Sequence, residues 1–291
     1  RVSDLAIHPS NTDTWFVATA SGGLWKTQNH GITFNPIFDS YSSYSVGCVK
    51  IAPTNQNTIW VGTGENNNQR SVSYGDGVYK SMDGGKSFKN MGLKSSEHIG
   101  SIVIHPNDEN TLWVAAYGPL WSSGGERGVY KSTDGGNTWK RTLEISEHTG
   151  IAEVHLDPSN PNILYTSAHQ RRRREWTFIS GGPESGVYKS IDGGVSWSES
   201  LLFRNGFVVD MILSDPKNWN IQYAAISGKG VYKSIDGGQS WSPKSIGIPN
   251  AERIELDISP VNSKIIWASE ESGKLYVSED GAETWSFVGE L

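Results

Sequence analysis

Apolar and polar residues alternate along nearly the whole chain, and the alternating runs return with the same punctuation. The runs VSDLAIHP (2–9), VGCVKIAP (46–53), IGSIVIHP (99–106), IAEVHLDP (151–158), VVDMILSDP (208–216) and IELDISP (254–260) each end in proline and lead into a polar turn. A more apolar, aromatic run follows each of them: WFVATA (15–20), IWVGTG (59–64), LWVAAY (112–117), ILYTSA (163–168), QYAAIS (222–227) and IWASE (266–270). GVYKS or a variant comes next, then a glycine-rich turn, then a segment opening on Trp or Phe. Period-two alternation broken by Gly, Pro, Asn and Asp predicts short strands and tight turns. No segment carries a helical period, so the chain reads as all-β.

The recurrence sets the organisation. Aligned on Asn29, Asp83, Asp134, Asp192, Asp236 and Asp280, the units are spaced by 54, 51, 58, 44 and 44 residues. Forty-four residues hold four short strands with their turns, the content of one propeller blade. The pattern therefore predicts a six-bladed β-propeller of four-stranded antiparallel blades, one domain over 1–291, with units near 1–40, 41–93, 94–144, 145–202, 203–248 and 249–291. First strands would line the axis. Either a closing strand lies upstream of Arg1 or the six units are part of a larger ring.

At the aligned acid the sequence reads Ser-x-Asp-x-Gly-x-Ser/Thr-Trp, complete at 132–139, 190–197 and 234–241. The copy at 81–88 ends in Phe, Asn29 replaces the acid at 27–34, and Ala282 replaces the glycine at 278–285. A carboxylate on the turn between third and fourth strands accepts hydrogen bonds from the turn's own N–H groups. A catalytic residue is needed once, whereas a hairpin fastener is needed in every unit, so Asn29, Asp83, Asp134, Asp192, Asp236 and Asp280 are read as structural.

This motif resembles the Asp-box, or bacterial neuraminidase, repeat. The resemblance covers the whole chain, and WVGTGENNNQRSVSYGDGVYKSMDGGKSFKNMGL and QRRRREW most resemble large bacterial proteins described as sortilin-like or glycosyl-hydrolase-like. It implies the propeller fold and an extracytoplasmic setting: secreted, periplasmic or at the cell surface. It also implies sialidase-like or xyloglucanase-like hydrolysis as one option. A sialidase would carry an Arg-Ile-Pro motif near its start, which is absent, and no position matches a sialidase catalytic residue by motif. A xyloglucanase would place two catalytic Asp between two tandem propellers, and this chain holds one.

Composition narrows the function. Thirty-one acidic residues against 25 basic give a net charge of −6, which argues against a nucleic-acid partner. No apolar run reaches spanning length, so no membrane insertion is expected. The single cysteine, Cys48, sits in an apolar alternating run and reads as a buried bystander. Arg1 is an unusual start, so the chain is expected to belong to a larger multidomain protein.

Candidate chemistry comes from unit length. Units two, three and four carry insertions between second and third strands: 65–76, 117–127 and 169–185. These loops would build a wall on the face opposite the Asp boxes, where function concentrates on rigid scaffolds. Arg171, Arg172, Arg173 and Arg174, with Arg70 and Arg127, suit a carboxylate or phosphate. Strand alternation would send two of the four consecutive arginines to each side. Trp121 and Trp176 suit a sugar ring, and His169 lies in the same insertion. The repeated SEHIG (96–100) and SEHTG (146–150) would bring His98, His148, Glu97 and Glu147 to the mouth, either as an acid–base set or as loop caps. Their spacing gives no metal site, and no cofactor is read. Glu65, Asp76, Glu97 and Glu147 are the candidate catalytic carboxylates. The leading reading is a module binding a glycan, peptide or protein; the alternative is a glycoside hydrolase.

Overall fold

In the computed structural model, residues 1–66, 72–202, 206–249, 251 and 253–290 are described. They form six antiparallel sheets, each running first strand to fourth in chain order, and their one helical element is the 3-10 turn Lys94–Ser96. In the second sheet the strands are Val46–Ile51, Ile59–Thr63, Val78–Ser81 and Lys89–Asn90. The fourth sheet gains a fifth strand, because the long strand Leu164–Arg174 turns back as Thr177–Ser180. The chain packs as two compact units. The first holds 1–164, 171–179 and 191–197; the second holds 165–170, 180–190 and 198–291.

Alternation fixes which side chains enter the core. Four residues before the proline, Val49, Ile102 and Val154 in the first unit are buried, as are Ile212 and Leu256 in the second, whereas Leu5 of the first sheet is exposed. The preceding position joins neighbouring first strands. Asp4 accepts the N–H of Val49 at 3.0 Å and Ser101 Oγ that of Val154 at 2.8 Å. Met211 Sδ accepts that of Leu256 at 2.8 Å. Close packing forces glycine here: a Cβ on Gly150 would lie 1.9 Å from the carbonyl oxygen of Tyr117. Cys48 is buried and unbridged, its thiol pushed up to about 12 by burial, which fits a bystander.

A clasp repeats from sheet to sheet within each unit. Trp60 packs under Gly136 of the next sheet's turn, and Trp113 donates its indole N–H to Gly193 O at 3.0 Å. The third-strand lysine lies over the same ring, Lys80 at 5.0 Å and Lys131 at 5.2 Å, and donates to the same turn. Lys26 with Phe16 repeats this in the first unit, and Lys189 with Tyr165 and Lys233 with Tyr223 in the second. Each clasp combines aromatic burial with a desolvated cation–π contact. The sixth sheet keeps the aromatic, Trp267, but Val277 stands at the lysine position and the ring is 44% exposed.

The recurring acids fasten their turns. Asp134 accepts from Ser132 Oγ (2.8 Å), Thr138 N (2.9 Å) and Thr138 Oγ1 (2.6 Å). Asp83, Asp236 and Asp280 repeat the pattern, Asp192 accepts from Ser196, and Asn29 accepts through its amide oxygen. The following Trp reaches back to the preceding sheet, Trp139 to Met91 O at 2.8 Å and Trp285 to Lys244 O at 2.8 Å. These hydrogen bonds hold Asp134 and Asp280 down to about 2 and Asp83 and Asp236 lower still. A depressed carboxylate stabilises the fold above its unfolded value near 3.9 and loses that contribution as pH falls through the folded value. Melting temperature is therefore expected to hold from pH 7 to about 5 and to drop between about pH 4 and 2. The Asp134→Asn variant should show a shallower drop; thermal melts across this range check it.

Candidate functional site

Within the first unit, the links of the second and third sheets meet the 171–179 part of the fourth-sheet insertion at one mouth. Gly64, at φ +89°, lets the second-sheet loop press on the next connection, because a Cβ there would lie 1.9 Å from Glu97 O. Gly75 N–H donates to the same carbonyl at 2.6 Å. The third-sheet loop joins through Tyr117 N–H to His98 O at 2.9 Å and Gly124 N–H to Glu147 O at 2.8 Å. The hairpin of the fourth sheet closes the group: Arg173 N–H donates to Leu120 O at 2.9 Å, and Arg171 Nη1 to Asn66 O at 3.1 Å.

Arg127 organises the third-sheet loop. It is 2% exposed and donates to the carbonyls of Gly124 (2.9 Å), Tyr117 (2.8 Å), Ser122 (2.9 Å) and Pro119. Burial and the charges of Arg171 and Arg172 lower it to about 10. Arg171, 1% exposed, lies 4.0 Å over the Tyr117 ring. His98 is buried and feels the charges of both guanidinium groups, and its Nδ1 has no hydrogen-bond partner. Burial first and then the two arginines push it down to about 3, so it stays neutral.

The four arginines end the long strand Leu164–Arg174. Burial falls from Arg171 to Arg174 because the strand leaves the core to form the hairpin. Arg173 stacks on Phe178 at 4.9 Å and Arg174 on Trp176 at 5.9 Å. Trp121 and Trp176 are exposed near the hairpin, and Tyr44 and Tyr74 are exposed on connections of the first two sheets.

The candidate carboxylates separate into different settings. Glu97 has φ +62°, a left-handed backbone that a side-chain-bearing residue adopts at a cost. Burial raises its carboxyl above the usual range, with Arg127 pulling the other way. Glu65 is buried and ion-paired with Arg1. Asp76 serves its hairpin, accepting the Tyr79 hydroxyl at 2.6 Å while its N–H donates to Thr63 Oγ1 at 2.9 Å. Glu147 and His148 are exposed and face each other at 3.7 Å. His169 belongs to the second unit, buried, with Nε2 3.2 Å from Ser180 Oγ. Arg70 lies outside the described residues. No group of three metal-capable side chains occurs among the described residues.

Sequence reasoning missed Tyr117 and Asn66. Tyr117 had a signal, because the equivalent position of other units holds Ala20, Gly64, Ala168 or Ser227. Asn66 acts through its backbone carbonyl and through side-chain donation to Ile99 O at 2.8 Å, and neither contact leaves a sequence mark.

No protein-family model matches the chain. In sequence it is similar to a xyloglucanase of Acetivibrio thermocellus, 23% identical over 222 residues, covering 66% of this chain and 24% of that protein. A xyloglucanase of Hypocrea jecorina is 27% identical over 193 residues, covering 66% and 19%. The chain thus spans about a quarter or less of these relatives. In structure it is similar to the GH74 xyloglucanase of Xanthomonas campestris, with TM-score 0.70, 16% identity, and 99% of this chain over 45% of the other. YCF48 of Cyanidioschyzon merolae gives TM-score 0.63 at 15% identity, 99% over 84%, and a YCF48 bound to a D1 peptide gives 0.63 at 13%, 98% over 81%. These likenesses support a β-propeller, glycosyl-hydrolase-like fold.

Proposed function

We propose that this chain is an Asp-box propeller of the xyloglucanase-like kind, acting on polysaccharide outside the cytoplasm through the loop mouth of its first unit. The observation that carries the reading is the sequence likeness to xyloglucanases over two thirds of the chain. The mouth adds chemistry to it. Glycoside hydrolysis needs a protonated carboxyl to deliver a proton to the leaving oxygen and an ionised carboxylate to activate water or attack carbon. Glu97, with its raised carboxyl, suits the donor. Glu65, on the adjoining backbone and paired with Arg1, is the second carboxylate of this proposal. Trp121 and Trp176 offer ring faces for sugars.

The test is reducing-end release from a panel of xyloglucan, cellulose oligomers, xylan and polygalacturonate, using the full chain. Release from at least one, reduced about 100-fold or more in both Glu65→Gln and Glu97→Gln, supports the reading. Release unaffected by either change moves the chemistry elsewhere. A second reading, a binding module without hydrolysis, is favoured by the solved likeness bound to a peptide. Retention of a ligand with no release from any polymer would select it.

A further inference from the structure

The relatives named above are xyloglucanases, and xyloglucan is a neutral polymer, yet the hairpin of the fourth sheet is cationic. Among the described residues, Arg172, Arg173 and Arg174 have no acidic side chain within 4.0 Å. In a chain of net charge −6, three such guanidinium groups in sequence are a local reversal of the field.

Two further observations point to a ligand. Arg173 and Arg174 are laid on the rings of Phe178 and Trp176, which limits their rotamers. At the hairpin's base, His98 Nδ1 and Arg172 Nε are buried polar atoms without partners. Buried polar atoms are ordinarily satisfied, so an unpartnered guanidinium nitrogen on the hairpin itself is an unmet hydrogen-bonding demand there.

We infer that the hairpin 171–179 recognises carboxylates of a uronic-acid-bearing polysaccharide, with Arg173 and Arg174 binding carboxylate and the exposed ring of Trp176 meeting an adjacent sugar. This rests on the polysaccharide reading above and names its substrate class. Guanidinium matches carboxylate bidentately, and a stacking tryptophan separates a sugar acid from a simple anion. An acidic peptide would supply the charge without the repeating ring faces.

The experiment measures binding of the full chain to polygalacturonate and to xyloglucan by affinity electrophoresis, with polyglutamate as competitor, and reducing-end release from both polymers. Polygalacturonate is expected to bind at least about 10-fold more tightly, with the difference shrinking as salt rises. The double change R173Q/R174Q should bring the two polymers to parity while the melting temperature stays within about 2 °C. R173K/R174K should recover part of the preference, because charge returns without the fork. Equal wild-type binding to both polymers overturns the inference, as does polyglutamate competing as well as polygalacturonate. Cleavage of xyloglucan with no preference for the acidic polymer would sink this inference and leave the hydrolase reading standing. Preferential binding with no release from either polymer would do the reverse.

Discussion

Glu97→Gln is expected to lower polysaccharide cleavage by about 10²- to 10⁴-fold while substrate binding changes little. The amide keeps the size and neutrality of a protonated carboxyl but has no proton to give, so the loss should fall on kcat rather than KM. The pH dependence follows from the direction of the shift. Burial raises the Glu97 carboxyl, and a proton donor works only while protonated. Wild-type activity should therefore fall on the alkaline side, at a pH above the ordinary carboxylate range, and the residual activity of the variant should lack that limb. A pH–rate profile of kcat/KM for both proteins checks the assignment. An unchanged alkaline limb in the variant would place the donor elsewhere.

Trp113→Ala is expected to cost about 3–5 kcal/mol of stability, the largest effect of any single core change considered. The ring is 1% exposed, donates to Gly193 O at 3.0 Å and carries Lys131 at 5.2 Å. Its removal opens a void under Gly194 and leaves the ammonium without its ring. The same change at Trp267 should cost no more than about 1–2 kcal/mol, because that ring is 44% exposed and Val277 replaces the lysine. Urea unfolding of the two variants side by side checks the contrast. Equal costs would mean that the clasp is not what binds sheet to sheet.

The repeat was legible because its physics is local. Alternation, the proline after each first strand and the Ser-x-Asp turn act within a few residues, so each unit records its own strands and fasteners. The three insertions were legible as departures from a 44-residue unit, and they do converge. What each residue does inside them was not. Arg127 looked like a ligand group, but its partners are loop carbonyls, and carbonyls leave no mark in the sequence. Asp76 and Glu97 looked alike as loop acids. A tyrosine three residues on occupies the first, and burial on the adjoining connection raises the second. The fall in burial along the arginine run was not legible either, because it depends on the strand continuing past the sheet into a hairpin, where the core no longer covers it.

The most direct measurement is proton NMR of xyloglucan and polygalacturonate incubated with the full chain, following the reducing-end anomeric signals with time. The account predicts new anomeric signals from at least one polymer with the wild-type protein, appearing about 100-fold or more slowly with Glu97→Gln at equal concentration. No new signals from either polymer with the wild-type protein, under conditions where binding is demonstrated, would contradict it.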